Sequence, residues 1–287
     1  MLINISFSPK SSFITGLWKW FKIWINTILS LMLIVLFLSC NKTKTVALEK
    51  SSQAADSLLS PEDSTQAIQN LLNSMIFVEG GTFIPYQSGE QSISPINVKS
   101  FYIGKYEVSQ LQWRAIMGNN PSNFKACSDC PVERVSWYDV QEFIQILNIL
   151  TKKHFRLPAE AEWEYAARGG KLSNNYLYSG SNNADDVSYY RKNSRGQTHP
   201  AGQKRPNELG IYDMSGNVYE WCNDWFSEII QNETVSRNSD RVTVKKKYKV
   251  LKGGYWNSNP NSLITSNRVM GNPLYGYNLV GFRLVME

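Results

Sequence analysis

Hydrophobic and polar positions change their pattern along the 287-residue chain. An uncharged, mostly apolar run occupies residues 23–40, and a polar stretch without aromatic residues follows at 41–74. Short segments with apolar alternation and glycine punctuation then begin, at 76–84 and 96–109, and such segments are typical of β-strands. We therefore predict a body over residues 76–287, whose size suits one domain.

A helical period of apolar residues predicts two helices inside this body. Ser136 can cap the first, and Pro158 precedes the second, which runs through AEAEWEYAAR. Gly169 and Gly170 supply a left-handed stop after it. The apolar stripe of the first helix consists of Trp137, Val140, Phe143, Ile144, Leu147 and Leu150.

The polar stretch, continued to residue 75, is predicted to be a tether because its composition cannot bury enough apolar surface to fold alone. Ser64 is predicted to cap a short helix within it, which docks either on the body or on a partner. The apolar face of that helix consists of Ile68, Leu71, Leu72 and Met75.

The amino-terminal 40 residues have the features of an export signal. Three lysines and no acidic residue precede the apolar run, which ends in Leu38-Ser39-Cys40. Cys40 is therefore a candidate lipobox cysteine, and the alternative is an uncleaved membrane anchor. Both place the body outside the cytoplasm, and we expect a membrane-anchored lipoprotein of the cell envelope, with the outer membrane favoured.

Charge excludes one class of partner. The formal net charge is +6, but three of the 30 basic residues lie before position 41 and all 24 acidic residues lie after it. The remaining body is too balanced to indicate nucleic-acid binding. Residues 241–252 concentrate lysines and are predicted to form a solvated arm leading into a strand, with contact to an acidic partner or lipid head groups as the alternative.

The body contains three cysteines, at positions 127, 130 and 222. Cys127 and Cys130 have the spacing of a redox pair, but Pro131 and extended chain follow instead of a helix that would lower a thiol pKa. We favour a small structural disulfide over two free thiols or redox and metal chemistry. Cys222, next to Trp221, is predicted to be a buried small hydrophobe.

Seven segments, in matching order, resemble the sulfatase-modifying-factor family, whose founding members are formylglycine-generating enzymes. They are VEGGTF (78–83), FYIGKYEVS (101–109), PVERVSWYDVQEF (131–143), RLPAEAEWEYAARGG (156–170), GIYDMSGNVYEWCNDW (210–225), LKGGYW (251–256) and GFRLV (281–285). The resemblance implies an irregular α+β fold of the C-type-lectin kind with little regular secondary structure. One departure is Ala159, where the family usually has a capping Thr or Ser, a loss of about 1 kcal/mol.

The resemblance also implies calcium as a structural cofactor, since this ion takes six to eight oxygen ligands. The better-defined family site corresponds to Asp213, the carbonyls of Gly216 and Val218, and Glu220. The alternative is that the two acids cap a turn and pair with arginines. A second site would fall, with a poorer match and a shorter loop, on Asp186, Val187, Asn193 and Arg195.

The family's oxidase chemistry requires two cysteines in a C-x-x-x-x-C spacing that holds Cu(I). Those positions correspond here to Leu263 and Arg268, and no cysteine follows Cys222, so copper is not expected. The sulfoxide-synthase branch of the family uses three histidines on iron. This chain has only His154 and His199, and His199 is predicted to be a loop residue.

The corresponding segment keeps aromatic and hydrogen-bonding groups that could line a cleft for a peptide or glycan. The alternative is that these side chains hold the irregular loops together. The residues are Tyr255, Trp256, Asn257, Asn259, Asn267 and Arg268.

We therefore expect a non-catalytic envelope lipoprotein that uses this domain for binding or assembly with envelope proteins. The chain resembles the gliding-motility and type IX secretion lipoproteins of Bacteroidetes. The alternatives are a formylglycine-generating oxidase or another oxidoreductase of the family, and a peptide- or glycan-binding module that acts alone.

Overall fold

A computed structural model describes residues 59–85, 94–125, 127–226 and 247–287. The predicted signal peptide with Cys40 and most of the predicted tether lie outside these residues. Within the described ranges, no helix combines the length and apolar character needed to cross a bilayer.

The described helices are short and we number them in chain order. They are α1 (Pro61–Asn73), α2 (Gln110–Met117), α3 (Trp137–Thr151), α4 (Glu160–Ala167) and α5 (Ala184–Val187). Two 3₁₀ turns lie at Gly170–Leu172 and Pro260–Leu263. The strands are β1 (Met75–Val78), β2 (Gly81–Phe83), β3 (Ile96–Val98), β4 (Phe101–Gly104), β5 (Phe155–Arg156), β6 (Tyr219–Trp225), β7 (Lys249–Lys252), β8 (Arg268–Gly271), β9 (Val280–Gly281) and β10 (Val285–Met286).

These strands form three small sheets. One has the antiparallel order β1-β4-β10-β5, a second pairs β2 with β3, and the third has the order β8-β7-β6-β9, in which β6 and β9 run parallel. Strand β10 therefore brings the end of the chain between β4 and β5. Most of the chain between α4 and β6 lacks regular structure, as expected for an irregular α+β fold.

The two predicted helices of the body are confirmed, together with their starts. Ser136 accepts a hydrogen bond from the backbone N–H of Asp139, and the Asp139 carboxylate accepts one from the Ser136 N–H, which forms a complete capping box. Ala159 precedes α4 without a side-chain cap. The Glu162 carboxylate still accepts a hydrogen bond from the Ala159 N–H at 2.8 Å, so half of the box remains.

The carboxy-terminal end of α4 matches the prediction, whereas the buried stripe of α3 ends earlier than predicted. Gly169 and Gly170 follow α4 with φ values of 89° and 55°, as expected for a left-handed stop. In α3 the buried stripe ends at Leu147, and Leu150 is 57% exposed. The last residue of the predicted apolar stripe is therefore exposed, because the last turn of α3 extends beyond the residues that cover the stripe.

Helix α1 begins one turn earlier than predicted. Its cap is Ser60, whose Oγ accepts a hydrogen bond from the Asp63 N–H at 3.0 Å, so the assignment of Ser64 was wrong. Pro61 occupies the first helical position, where its fixed φ suits the helix and its missing N–H costs nothing. Pro61 was therefore a stronger sequence signal for the start of α1 than Ser64.

Helix α1 docks on the body. Leu71 is 3% exposed within the main core, and Ile68, Leu72 and Met75 pack against the same cluster. The Ser74 carbonyl, immediately after the helix, accepts a hydrogen bond from the Lys105 N–H at 2.9 Å. The sequence left two docking surfaces open for this helix, the body or a partner, and the structure shows it docked on the body.

The main core is centred on three aromatic rings. Trp113 stacks on Phe143 with centroids 5.3 Å apart, and Phe282 meets both rings edge-on. A second cluster surrounds Trp163 and contains Cys222, which is fully buried and not part of a disulfide, as predicted. Burial raises the pKa of the Cys222 thiol well above its ordinary value, so this cysteine stays protonated.

Two lysines of the segment predicted as a solvated arm, Lys249 and Lys252, are buried, which corrects the prediction at these two positions; residues 241–246 lie outside the described residues. Lys252 is 0% exposed and pairs with Glu164 at 3.0 Å. The Nζ of Lys249 lies 4.1 Å from the ring centroid of Trp137 and 3.9 Å from that of Trp225. Aromatic faces and a carboxylate compensate for the lost hydration of these ammonium groups. The predicted strand itself is β7.

We expect Leu71→Ala to lower the free energy of unfolding by about 2–4 kcal/mol, because it leaves a cavity where α1 meets the core. Leu150→Ala removes the same atoms from an exposed site of α3 and should change it by less than about 0.5 kcal/mol. Denaturant unfolding measures both. Equal effects would show that α1 does not dock in solution.

Candidate functional site

A double-glycine turn positions the segment that follows β7. Gly253 and Gly254 have φ values of 94° and 80°, a conformation that L side chains rarely adopt. A Cβ on Gly253 would lie 3.1 Å from the Trp163 ring, and one on Gly254 would lie 2.7 Å from Leu263. The turn therefore needs two glycines to fold the following loop against the second cluster and Leu263.

The two positions that correspond to the family's copper ligands are occupied by unrelated side chains. Leu263 is fully buried in a small cluster with Tyr178 and Tyr190. Arg268 lies at the start of β8, where it pairs with Glu160 at 2.8 Å. A buried alkyl group and an ion-paired guanidinium cannot ligate a soft metal ion.

The six predicted cleft residues have different roles. Asn259 caps the following 3₁₀ turn, and Asn267 donates a hydrogen bond to the Asn261 carbonyl. These two asparagines hold their own loop, as the alternative interpretation predicted, and Arg268 belongs to the sheet. Tyr255, Trp256 and Asn257 remain next to one another at the surface.

Tyr255 and Trp256 belong to a larger aromatic surface, which we define as Phe124, Tyr255, Trp256, Tyr275 and Tyr277. Trp256 meets Phe124 at 5.4 Å and Tyr255 at 5.7 Å, edge-on in both cases. Tyr275 lies 6.5 Å from Tyr277 and is 59% exposed. The Trp256 indole N–H donates to the Asn278 carbonyl at 3.1 Å, so the loop that carries the two tyrosines lies beside Trp256.

Sequence reasoning missed Phe124, Tyr275 and Tyr277. They come from loops far from residue 256 in sequence, and no local period links them. The triplet Tyr275-Gly276-Tyr277 carried a signal, because a glycine between tyrosines indicates a close backbone approach. A Cβ on Gly276 would indeed lie 2.3 Å from the Arg134 carbonyl oxygen.

Glu133 lies beneath this surface and positions Phe124. One carboxylate oxygen accepts a hydrogen bond from the Phe124 N–H at 2.8 Å, and the Glu133 N–H donates to the Ser122 hydroxyl at 3.2 Å. The other oxygen is buried and has no hydrogen-bond partner among the described residues. Burial raises the pKa of the Glu133 carboxyl, since the charged form loses its hydration.

A disulfide joins Cys127 and Cys130, shortly after Phe124. The Cys130 carbonyl accepts a hydrogen bond from the Gln110 N–H, and the Ser128 carbonyl accepts one from the Leu111 N–H, both at 2.9 Å. The bonded pair thus sits against the start of α2. With both sulfurs bonded, this state of the pair has no free thiol for redox or metal chemistry.

The predicted calcium ligands Asp213 and Glu220 are both buried, but they differ in their partners. Arg283 donates to the two oxygens of Glu220 at 2.6 and 2.7 Å, and the Trp163 indole donates to one of them at 2.6 Å. Asp213 accepts a hydrogen bond from the Gly202 N–H at 2.6 Å through one oxygen. Its other oxygen is buried without a partner in the described chain.

Asp213 therefore fits a bound cation, whereas Glu220 already neutralises an arginine. Burial raises the pKa of Asp213 to about 6. Glu107, which sequence reasoning missed, belongs to the same acidic cluster, and burial followed by the charges of Asp213 and Glu220 raises the pKa of Glu107 well above its ordinary value. Among the described residues, no group of three or more His, Cys, Asp or Glu side chains is arranged to hold a metal ion.

The residues of the second predicted ion site form contacts within their own loop. Asp186 accepts hydrogen bonds from the side chains of Ser181 and Asn183, and Val187 is buried. The Asn193 side chain donates to the Ser188 carbonyl and accepts from the Tyr190 N–H. Arg195 has a φ of 56° at a turn.

His199 lies in a loop whose backbone is hydrogen-bonded to the Asn217 side chain, which also donates to Glu107. His199 stacks on Tyr189 with ring centroids 3.9 Å apart, and its Nε2 lies 2.7 Å from the Ser194 carbonyl oxygen. It is a loop residue, as predicted. His154 is exposed just before β5.

We expect Glu133→Gln to make the stability of the protein less sensitive to a rise in pH from acidic to neutral values. A carboxyl whose pKa is raised by folding stabilises the protein at pH values below its unfolded pKa, and this contribution is lost as the pH rises through the folded value. The amide keeps an acceptor for the Phe124 N–H and has no charge. The stability of the variant should therefore exceed that of the wild type at pH 8 and approach it near pH 4, as measured by urea unfolding. Parallel pH profiles would contradict this account.

Comparisons with known proteins identify the family. A profile described as a sulfatase-modifying factor enzyme 1-like domain matches residues 60–287. The chaperone protein LppX of Paenibacillus barcinonensis is 37% identical over 69% of this chain and 84% of its own length. The serine/threonine-protein kinase Pkn1 of Chlamydia trachomatis is 28% identical over 76% of this chain, and the match spans only 39% of the kinase.

A formylglycine-generating enzyme of Streptomyces coelicolor is 34% identical over 34% of this chain and 33% of the enzyme. Among solved structures, Treponema denticola variable protein 1 superposes with a TM-score of 0.62 at 28% identity and covers 74% of this chain and 94% of that one. These likenesses confirm the predicted fold class. The chain belongs to the sulfatase-modifying-factor family, to which the formylglycine-generating enzymes also belong.

Proposed function

We propose that this protein is a non-catalytic lipoprotein of the cell envelope that uses its domain to bind or assemble with other proteins. The observation that carries the proposal is the pair of side chains at the family's copper positions. Leu263 is buried in an apolar cluster and Arg268 is ion-paired to Glu160, so neither offers a thiolate.

The remaining cysteines of the body do not replace the missing pair. Cys127 and Cys130 are bonded to each other. Cys222 is fully buried, and its raised thiol pKa disfavours the thiolate that metal binding requires. A formylglycine-generating mechanism through Cu(I) therefore lacks its ligands in these residues.

The aromatic surface supports a binding role. Trp and Tyr side chains that are partly exposed on a fixed scaffold are typical anchors of protein interfaces. The relative LppX is described as a chaperone protein, which is a role in binding other polypeptides. We extend such a role to this chain on the basis of its surface.

The proposal also specifies where in the cell the protein lies and which proteins it assembles with. The amino-terminal sequence supports lipidation at Cys40 and an outer-membrane location, and the resemblance stated above supports assembly within gliding-motility or type IX secretion complexes. Labelling cells with a palmitate analogue tests the anchor. Wild-type protein should incorporate the label, Cys40→Ala should not, and equal incorporation would contradict it.

A second candidate function is formylglycine generation. The similarity to the Streptomyces coelicolor enzyme favours it, although the match covers only a third of each chain. Oxygen consumption and aldehyde formation on a peptide carrying a sulfatase cysteine motif distinguish it from a binding role.

With Cu(I) and that peptide, we expect this protein to form no aldehyde above the metal-only background, because two thiolates are needed to hold the ion. Hydrazide labelling followed by mass spectrometry measures the product. The Streptomyces coelicolor enzyme in the same assay is the positive control. Stoichiometric copper binding together with aldehyde formation would overturn the non-catalytic proposal.

We also propose that a calcium ion is held at Asp213 of the better-defined family site, although Glu220, which the resemblance also implies as a ligand, is paired with Arg283. The unpartnered buried oxygen of Asp213 supports this, because a cation would compensate for its lost hydration. The carbonyls of Gly216 and Val218 would complete the ligand set with water. Calcium would then have a structural role in fixing this loop.

Calcium at a hundredfold excess over its dissociation constant should stabilise the wild-type protein by about 2.7 kcal/mol. Asp213→Asn should lose most of this gain, whereas Asp186→Asn, in the second predicted site, should keep it. Thermal unfolding in calcium and in chelator measures the difference. A wild-type protein that does not respond to calcium would exclude the site.

A further inference from the structure

We infer that the aromatic surface binds an acidic polypeptide segment that also carries aromatic or large apolar side chains. The inference rests on the proposed binding function and adds the chemical class of the partner. It depends on how the rings are arranged and on the charge of the segments that hold them.

The rings form a corrugated surface. Phe124 and Tyr255 meet Trp256 at interplanar angles of 86° and 82°, and Tyr275 meets Tyr277 at 67°. Rings at steep angles present both faces and edges to a ligand instead of one flat face. Apolar and aromatic side chains of a partner can pack against such rings, and they are the usual anchors of peptide recognition.

The scaffold under the surface is fixed. Glu133 and Arg134 connect two of its loops, because the Glu133 carboxylate binds the Phe124 N–H and the Arg134 N–H donates to the Tyr277 carbonyl at 2.9 Å. Tyr255 and Tyr277 both pack against the main core. Binding here would therefore require little ordering of the protein, which favours affinity.

Basic side chains accompany the aromatic ones. Lys125 is exposed next to Phe124, and Arg134, whose N–H binds the Tyr277 carbonyl, is also exposed. Arg191 is exposed, and its Nε donates to the Asn257 side chain at 3.3 Å, which places its guanidinium beside the loop of Trp256.

Acidic residues are missing from these aromatic segments. Residues 255–277, which hold the other four rings of the surface, contain no Asp or Glu, and their one basic residue, Arg268, is ion-paired to Glu160. The segment 119–125, which holds Phe124, also has no acid. The acids that follow it are Asp129, which is exposed, and Glu133, whose carboxylate is buried beneath the surface. The surface is thus complementary to negative charge, which would steer an acidic partner towards it.

Together these features favour an acidic peptide over the other ligand classes. A neutral glycan would stack on a flat ring and would gain nothing from the three cations. A nucleic acid would need a larger basic excess than the balanced body provides. A peptide with alternating carboxylates and rings matches both the aromatic side chains and the charge.

The test uses the full chain in detergent micelles and a fluorescent peptide in which glutamate alternates with phenylalanine. Its matched probe has lysine at each glutamate position. We expect the acidic peptide to bind at least about tenfold more tightly, a difference of about 1.4 kcal/mol. Raising the salt concentration should reduce this preference.

Two variants locate the site. Trp256→Ala should weaken binding of the acidic peptide by about tenfold or more, as expected for a central aromatic anchor. Changing Lys125, Arg134 and Arg191 together to Glu should abolish the preference for the acidic probe. The control changes Lys99, Lys152 and Lys153, exposed residues elsewhere, to Glu and should leave the affinity unchanged although the net charge is the same.

Equal binding of the two probes, no binding of either, or equal effects of the two triple variants would overturn the inference. Binding of a sulfated glycan that is lost in Trp256→Ala, with no peptide binding, would overturn the peptide class and leave the binding function standing. Failure of the non-catalytic proposal itself would appear separately, as aldehyde formation in the copper assay.

Discussion

The irregular body depends on the buried ion pair between Arg283 and Glu220. Both side chains are 0% exposed, and the guanidinium also donates to the backbone carbonyls of Gly104 and Tyr212, at 3.0 Å each. One side chain thus joins the end of β4, a long loop, strand β6 and the carboxy-terminal segment. Removing one partner of such a pair typically costs about 3–5 kcal/mol, because the other charge is left buried. Because the sheets of this protein are small, the network holds together segments that strand pairing would connect in proteins with larger sheets.

Local sequence signals predicted local structure well. Ser136 capped α3 and Gly169 ended α4, as expected. The error at Ser64 was local, since Pro61 marks the start of α1, and the other errors arose where tertiary contacts decide. Lys249 and Lys252 carry charges that normally face water, and only partners distant in sequence make their burial tolerable. A sequence pattern contains no record of such partners.

In the candidate site, too, local features were visible in the sequence and tertiary ones were not. The absence of the two copper-binding cysteines could be seen at two positions, because a metal site depends on residue type at a fixed spacing. The aromatic surface could not be predicted, since Phe124, Trp256 and Tyr275 come from three loops that meet only in the folded protein. Glu107 was not predicted to belong to the acidic cluster for a related reason. Its carboxylate accepts a hydrogen bond from Asn217, 110 positions away in the chain.

The short separation of the disulfide has a consequence for how the protein matures. The three cysteines of the body allow three alternative pairings, but Cys127 and Cys130 are only three positions apart, so they meet more readily in the unfolded chain than either meets Cys222. Local oxidation therefore favours the native pairing. Once the second cluster encloses Cys222, burial shields that thiol from exchange with the bonded pair.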